Sequence, residues 1–432
     1  NTQAAVNFQN TKKIFFELKT AAQEIRFERL AEELPALTAE GFHGKISGEN
    51  FIKGNFEPDS EQLVAEASFS FSIPDGTIRG APVGKIETTG GMSYAGNNLT
   101  IKNLFIAYND LTLLANGSVV TVRRNPLAQI EIRGKLPLDI LPLLPLRMPD
   151  TFALPKISGV CDLAGAAKIH LSGTPPPELN GTINAPQLTV GSLPVAAVKI
   201  DFSHKNNALM LKSSGKLAAG AFQCEASADF IPKIFTYKSR IKAAELDLRR
   251  LLTELNSPYA PTCQGSLTLD GGFDGRGWDK HAVNGQINLS LNKGSLSGFA
   301  LLRQLDTLLQ TKIFQEFPVT TAAGVFKINQ ARVETNNLQI IGPETALLFQ
   351  GTIWFDQRFE NARLTVEISA NSASKISAAV LDKMFLPLNT TYMQVFPLQG
   401  TLLDPSVEPA AQSTQTQPSA EPGFFQSLFK PQ

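Results

Sequence analysis

The chain has 432 residues with 39 basic and 39 acidic side chains, so it carries no net charge and no electrostatic footprint for nucleic acid. It holds 28 Phe against 5 Tyr and 2 Trp, and rings without a polar handle suit a dry surface. No apolar run approaches the length of a bilayer span, and Cys161, Cys224 and Cys263 show no metal spacing, although one pair could form a disulfide.

In chain order, residues 11–35 read as an amphipathic helix. Ile14, Phe15, Leu18, Ala22, Ile25 and Leu30 recur at helical spacing and Pro35 ends the pattern, which sets residues 1–40 apart as an N-terminal helical segment. From about 41 to 404 strand follows strand. The run Ala67-Ser68-Phe69-Ser70-Phe71-Ser72-Ile73 alternates apolar and hydroxyl residues before turning at Pro74-Asp75-Gly76. Such a run builds a sheet with one oily face and one wet face.

Three meander units are expected, at 41–150, 151–257 and 258–404. Leu179-Asn180-Gly181-Thr182-Ile183-Asn184 after Gly173 matches Val283-Asn284-Gly285-Gln286-Ile287-Asn288 after Gly277. Turns recur at Asn97-Asn98, Asn206-Asn207 and Gln330-Ala331; Asn fits them because it tolerates positive φ. Leu246-Asp247-Leu248, running into Arg249-Arg250-Leu251-Leu252, closes the second unit with a short helix or turn. The third unit contains an inserted helix over 299–316, with Leu301, Leu302, Leu305, Leu308, Leu309 and Ile313 on one stripe. It reads as a cover for a sheet face, with a moving lid or a partner-docking face as the alternatives. Residues 405–432 read as a disordered tail whose end, Phe424 to Lys430, is apolar.

No catalytic constellation emerges. His43, His170, His204 and His281 lie far apart, and there is no nucleophile elbow, Walker loop or dinucleotide fingerprint. Gly271-Gly272-Phe273-Asp274-Gly275-Arg276-Gly277 reads as a turn between strands, with Asp270, Asp274 and Asp279 as solvated turn residues. No enzyme activity, metal or cofactor is expected.

What recurs is the apolar stripe. Phe69, Phe71 and Ile73 share one strand face, as do Leu267 and Leu269, and Ile287, Leu289 and Leu291. Phe326 and Ile328, Leu338 and Ile340, Phe349 (with Leu347), Ile353 and Phe355, and Leu364, Val366 and Ile368 repeat the pattern. These residues are the candidate lining of an apolar groove. The expected fold is mainly β: an elongated, curved antiparallel sheet, a half-pipe or β-taco, built from repeated meanders, with the two helical segments above.

The chain resembles the AsmA-like family, relatives of TamB in Gram-negative envelopes. The resemblance lies in the order of Ala244-Glu245-Leu246-Asp247-Leu248-Arg249-Arg250-Leu251-Leu252, the stretch Gly265–Gly277, the stretch Val283–Gly298, the helix, Thr321–Val333, Phe349–Asp356 and Leu398-Gln399-Gly400-Thr401-Leu402-Leu403-Asp404-Pro405. It covers roughly 240–405, with a looser match upstream. It implies a periplasm-facing sheet with an oily groove that moves phospholipids between membranes in outer-membrane biogenesis. An inner-membrane anchor outside this chain, which begins at Asn1, would go with it. It supplies no catalytic residues.

The expected function is non-enzymatic binding and transfer of phospholipid or other acyl-chain lipids, with no nucleic-acid partner. The alternative is a structural or scaffold protein of the envelope with a filled β-core and no lipid cargo. A glycan-processing enzyme is a third reading, disfavoured by the shortage of Trp and Tyr as sugar platforms.

Overall fold

Period-two patterning becomes strands almost throughout. The computed structural model describes residues 2–26, 42–139, 156–373 and 392–407, apart from positions 11, 75, 79–80, 84, 109, 122–125, 172–174, 231–233 and 278, together with residue 376. The chain divides into two compact units, Asn1–Ile287 and Asn288–Gln432. Residues 27–41, 140–155 and 408–432, on which parts of the sequence reading rest, lie outside the described residues; the first residues of the expected disordered tail, Pro405–Val407, are instead a short strand paired with residues 398–400.

In the first unit the strands are β1 (Thr2–Asn10), β2 (Lys13–Arg26), β3 (Phe42–Glu57), β4 (Gln62–Ile73), the short β5 (Gly76–Ile78) and β6 (Ala81–Val83), β7 (Ile86–Ala95) and β8 (Asn98–Tyr108). There follow β9 (Leu111–Val120), β10 (Leu127–Pro137), β11 (Ile157–His170), β12 (Glu178–Val190), β13 (Leu193–Lys205), β14 (Ala208–Leu217), β15 (Gly220–Asp229), β16 (Thr236–Asp247) and β17 (Cys263–Arg276). Each pairs antiparallel with the next, from β1 to β4, on to β7, and then in unbroken succession to β17. The hairpin β5–β6 attaches to the start of β3. Among the described residues this is an open antiparallel sheet, and the expected turns form: Asn97, Asn206 and Asn207 all take positive φ.

The helix expected over 11–35 is overturned where it is described. Residues 13–26 are β2, paired on one side with β1 and on the other with β3. Ile14, Phe16, Leu18, Thr20 and Ala22 alternate onto one face, opposite Phe56, Gly54, Ile52, Asn50 and Gly48 of β3. Ile14, Leu18 and Ala22 fit a helix and a strand alike, because a spacing of four is also an even number; pairing with β3 decides for the strand. The glycine-rich run at 271–277 is corrected likewise. Residues 271–276 are not a turn but the interior and end of β17, only Gly277 taking a turn conformation, and Asp270 sits on the wet face of the sheet, 3.3 Å from Arg240.

Along one margin of β11–β17, bulges line up. Register shifts fall between Gly159 and Asp162, Ala196 and Lys199, and Ala243 and Leu246, with Ala197 and Glu245 at φ near +50°. A bulge bends its strand and increases local twist. Here Leu138, Cys161, Ala185, Leu188 and Val198 form a buried cluster, which Ala218, Ala243, Leu246, Cys263 and Leu267 continue. Helix α1 (Leu248–Glu254), capped by the Asp247 carboxylate accepting from Arg250 N–H at 3.0 Å, packs at this margin against β13, β16 and β17. This is the short helix expected after Leu246.

β18 (Asn284–Ser297) straddles the division. In the second unit α2 (Ala300–Leu309) precedes an antiparallel meander of β19 (Glu316–Asn329), β20 (Arg332–Ile341), β21 (Thr345–Trp354), β22 (Phe359–Ile368), β23 (Tyr392–Gly400) and β24 (Pro405–Val407). The inserted helix therefore exists but is shorter than 299–316. Gln310 takes the left-handed cap position, and the Asp306 carboxylate accepts from Phe314 N–H at 2.9 Å, turning the chain away. This unit has a filled core: Leu305 and Leu309 of the helix, with Val366, Ile368 and Phe396 of the sheet, have no exposed surface.

Candidate functional site

Cross-strand register makes the first unit's apolar face continuous. One row runs Ile132, Gly165, Gly181, Phe202, Leu211, Ala226, Ser239, Phe273 from β10 to β17. The row beside it runs Ile130, Ala167, Leu179, His204, Leu209, Ala228, Tyr237, Gly275. Toward β4 the same face continues through Leu113, Ile106 and Thr88 to Phe71. The opposite face is wet, and its ion pairs join residues in direct register: Lys53 with Glu66, Lys212 with Glu225, and Lys242 with Asp270. Exposed pairs of this kind add little stability; their value here is to mark which side faces water.

Glycine and phenylalanine shape the oily side together. A Cβ on Gly181 would lie 2.7 Å from Phe202 Cζ and 2.6 Å from the Ala164 carbonyl oxygen. Phe69 overlies Gly90 in the same way, and Phe16 overlies Gly54. The rings thus lie across the neighbouring strand instead of standing off the sheet, which leaves a shallow apolar floor. Away from the buried margin this floor is half-exposed: Ile130, Ile132, Leu179, Phe202, Leu209 and Leu211 are all of intermediate burial. Among the described residues no helix lies over them. The polar exceptions are few. His204 Nδ1 lies 2.8 Å from the Pro177 carbonyl oxygen, to which it donates.

The candidate residues divide by surroundings. Phe69, Phe71 and Ile73 lie half-buried on this floor, the two rings 5.8 Å apart. Leu269 joins it, Leu267 sits in the buried margin, and Ile287 lies beside Gly271 on the same floor. In the second unit Leu289 is half-buried and Leu291 buried. Phe326, Leu338, Ile340, Phe349, Ile353 and Leu364 come together around one cavity of about 260 Å³, with Leu347, Leu296, Phe359, Phe299 just before the helix, and the helix residues Leu301 and Leu302. Ile328 lies opposite Val333, outside that lining. Val366 and Ile368 are in the sealed core, and Phe355 lies beyond the end of β21, exposed.

Sequence reasoning missed most of the floor of β7–β16, where Gly, Ala and Ser are interspersed among the larger apolar residues and bulges interrupt several strands. Ile130 and Ile132 alternate without a break in β10, and Leu163 and Ile183 face each other in continuous register, so plain period-two spacing was the signal that could have found them. It also missed Leu402, which borders the cavity while half-exposed.

Two features carry less. A cleft of about 710 Å³ near the end of α2 includes Asp306, Lys312, Glu344 and Ser372, but the Asp306 carboxylate already caps the turn at Phe314, and burial raises its pKa. The three cysteines are free thiols, and burial raises all three pKa values. Among the described residues no group of three His, Cys, Asp or Glu could hold a metal ion, and no helix is long and apolar enough to cross a membrane. Comparison with protein-family models, with curated proteins and with solved structures finds no match.

Proposed function

We propose that this chain binds acyl-chain lipids, phospholipids among them, on the apolar floor of its first unit and passes them across the periplasm of a Gram-negative envelope, without catalysing a reaction. The observation that carries this is the half-exposed floor running from β4 to β17. A sheet face this apolar has to be covered by something, and contiguous exposed apolar patches beyond a few hundred Å² mark binding surfaces. Eleven inter-strand steps from β4 to β17, at about 4.8 Å each, make the floor roughly 53 Å across its strands, long enough for several acyl chains side by side or in sequence.

Hydrocarbon suits the floor because it asks for no hydrogen bonds, and the floor offers few. Carrying a chain of sixteen methylenes through water costs on the order of 13 kcal/mol at about 0.8 kcal/mol each. A surface that supplies non-directional apolar contact at every strand lowers that barrier and still lets the chain slide. The AsmA-like kinship, the periplasmic setting and the membrane anchor outside this chain belong to the same proposal and rest on the order of motifs over 240–405. The scaffold reading is favoured by one observation only, the filled core of the second unit, and applies there.

Cys224 provides the test. It lies on the floor between Ser213 and Ile241, half-buried, whereas Cys161 and Cys263 are buried. Because burial raises its pKa, less of it is the reactive thiolate at pH 8 than in free cysteine, and its alkylation rate keeps rising with pH beyond the point where that of free cysteine levels off. Delipidated protein should therefore be alkylated by N-ethylmaleimide slowly at Cys224, and protein reloaded from phosphatidylglycerol vesicles several-fold more slowly still. Equal rates in the two preparations would count against lipid on this floor.

A further inference from the structure

We propose that the 260 Å³ cavity beneath the N-terminal half of α2 is a separate receptor for the end of one alkyl chain, and that Gln304 latches it. This shares with the function above only the class of ligand; the site belongs wholly to the second unit and stands or falls by itself.

The cavity has a floor from Leu338 and Phe349, a roof from Phe299 and Leu302, and a half-exposed rim at Leu402. Every lining side chain is apolar. A peptide segment entering it would leave backbone N–H and C=O groups without partners, and a sugar or headgroup would lose its hydration for nothing in return. An unbranched hydrocarbon has no such cost. An apolar cavity of 150 Å³ stays dry and takes up benzene. At about 30 Å³ per water-sized group, 260 Å³ seats roughly eight or nine methylenes, the terminal part of a chain whose polar end stays outside.

Gln304, on the helix, bonds the backbone of β24 with both ends of its amide: Nε2 donates to the Pro405 carbonyl, and Oε1 accepts from Val407 N–H at 3.1 Å. The side chain thus serves β24 as a neighbouring strand would; among the described residues the strand pairing of β24 is three residue pairs with β23, and β24 also packs against α2. Pro405 and Leu402 border the cavity. Breaking these two bonds frees the segment beside the entrance from the roof helix, so the amide sets how quickly a chain end enters and leaves.

The full-length chain is titrated with 11-(dansylamino)undecanoic acid and, separately, with vesicles containing phosphatidylcholine that bears a 12-NBD-dodecanoyl tail. Leu338→Trp fills the cavity and should remove one saturable site per chain, while Ile130→Asp with Leu211→Asp, on the first unit's floor, should leave that site intact. Leu402→Asp changes an exposed residue and keeps the fold; it should weaken the site about tenfold by placing a carboxylate at the mouth. Gln304→Ala should speed probe exchange at least threefold. Binding of the free acid alone identifies a fatty-acid site, binding of both probes a tail site for either source, and each supports the proposal. Unchanged stoichiometry in folded Leu338→Trp, unchanged affinity in Leu402→Asp, or unchanged exchange in Gln304→Ala overturns it.

Discussion

Replacing Ile130 and Leu211 together by Asp is expected to lower lipid occupancy of the first unit's floor by tenfold or more while leaving the protein folded. Both side chains lie half-buried on the open floor, several strands apart and away from the bulged margin. Their carboxylates can reach water in the empty protein, so little folding stability is lost. In the loaded protein they would sit against hydrocarbon. If each keeps only two methylenes from contact, the loss is about 3 kcal/mol, more than a hundredfold in affinity. The scaffold reading makes the opposite forecast, since Asp in a filled core unfolds the protein and there is no lipid to lose. Circular dichroism and phosphorus analysis on the same preparations separate the two.

The second large effect belongs to the core of residues 288–432. Phe396→Ala should cost about 3–5 kcal/mol and Leu305→Ala about 2–5, because each residue is fully buried and truncation leaves a cavity. Ile130→Ala, on the half-exposed floor, should cost about 1 kcal/mol or less, since that side chain has already kept part of its surface in solvent or lipid. Denaturant unfolding of delipidated protein reads both. A cost at Ile130 as large as that at Phe396 would mean that the floor, too, is packed shut.

The contrast shows which parts of this molecule a sequence can convey. The run from Ala67 to Ile73 alternates without a break and becomes β4 with its apolar side chains on one face. The helix at 300–309 was legible because Leu301, Leu302, Leu305 and Leu309 admit no period-two reading. Where several periods fit the same residues, only the partner strand decides, as at Ile14, Leu18 and Ala22. Bulges hid much of the rest. At Ala243 and Leu246 two apolar residues three apart share one face because Glu245 occupies a left-handed position between them, and no fixed periodicity follows such a step.

The candidate site was legible to about the same depth. Even spacing brought out the stripes, but it could not separate Phe349, at the wall of a cavity, from Val366, two strand positions along from its partner Leu364 and sealed in the core. That difference is made by the helix above them, whose N-terminal half spans a void and whose C-terminal half, through Leu305 and Leu309, is packed. The glycines gave no apolar signal at all, although Gly181 and Gly90 set the shape of the floor by letting Phe202 and Phe69 lie down.

The most direct test is mass spectrometry of the organic extract from full-length protein purified without detergent. More than one acyl-chain lipid per chain is the expected result, reduced to about the single occupant of the second unit's cavity by Asp at 130 and 211. An extract free of acyl chains, from protein that still refuses lipid when offered vesicles, would contradict the account at its base.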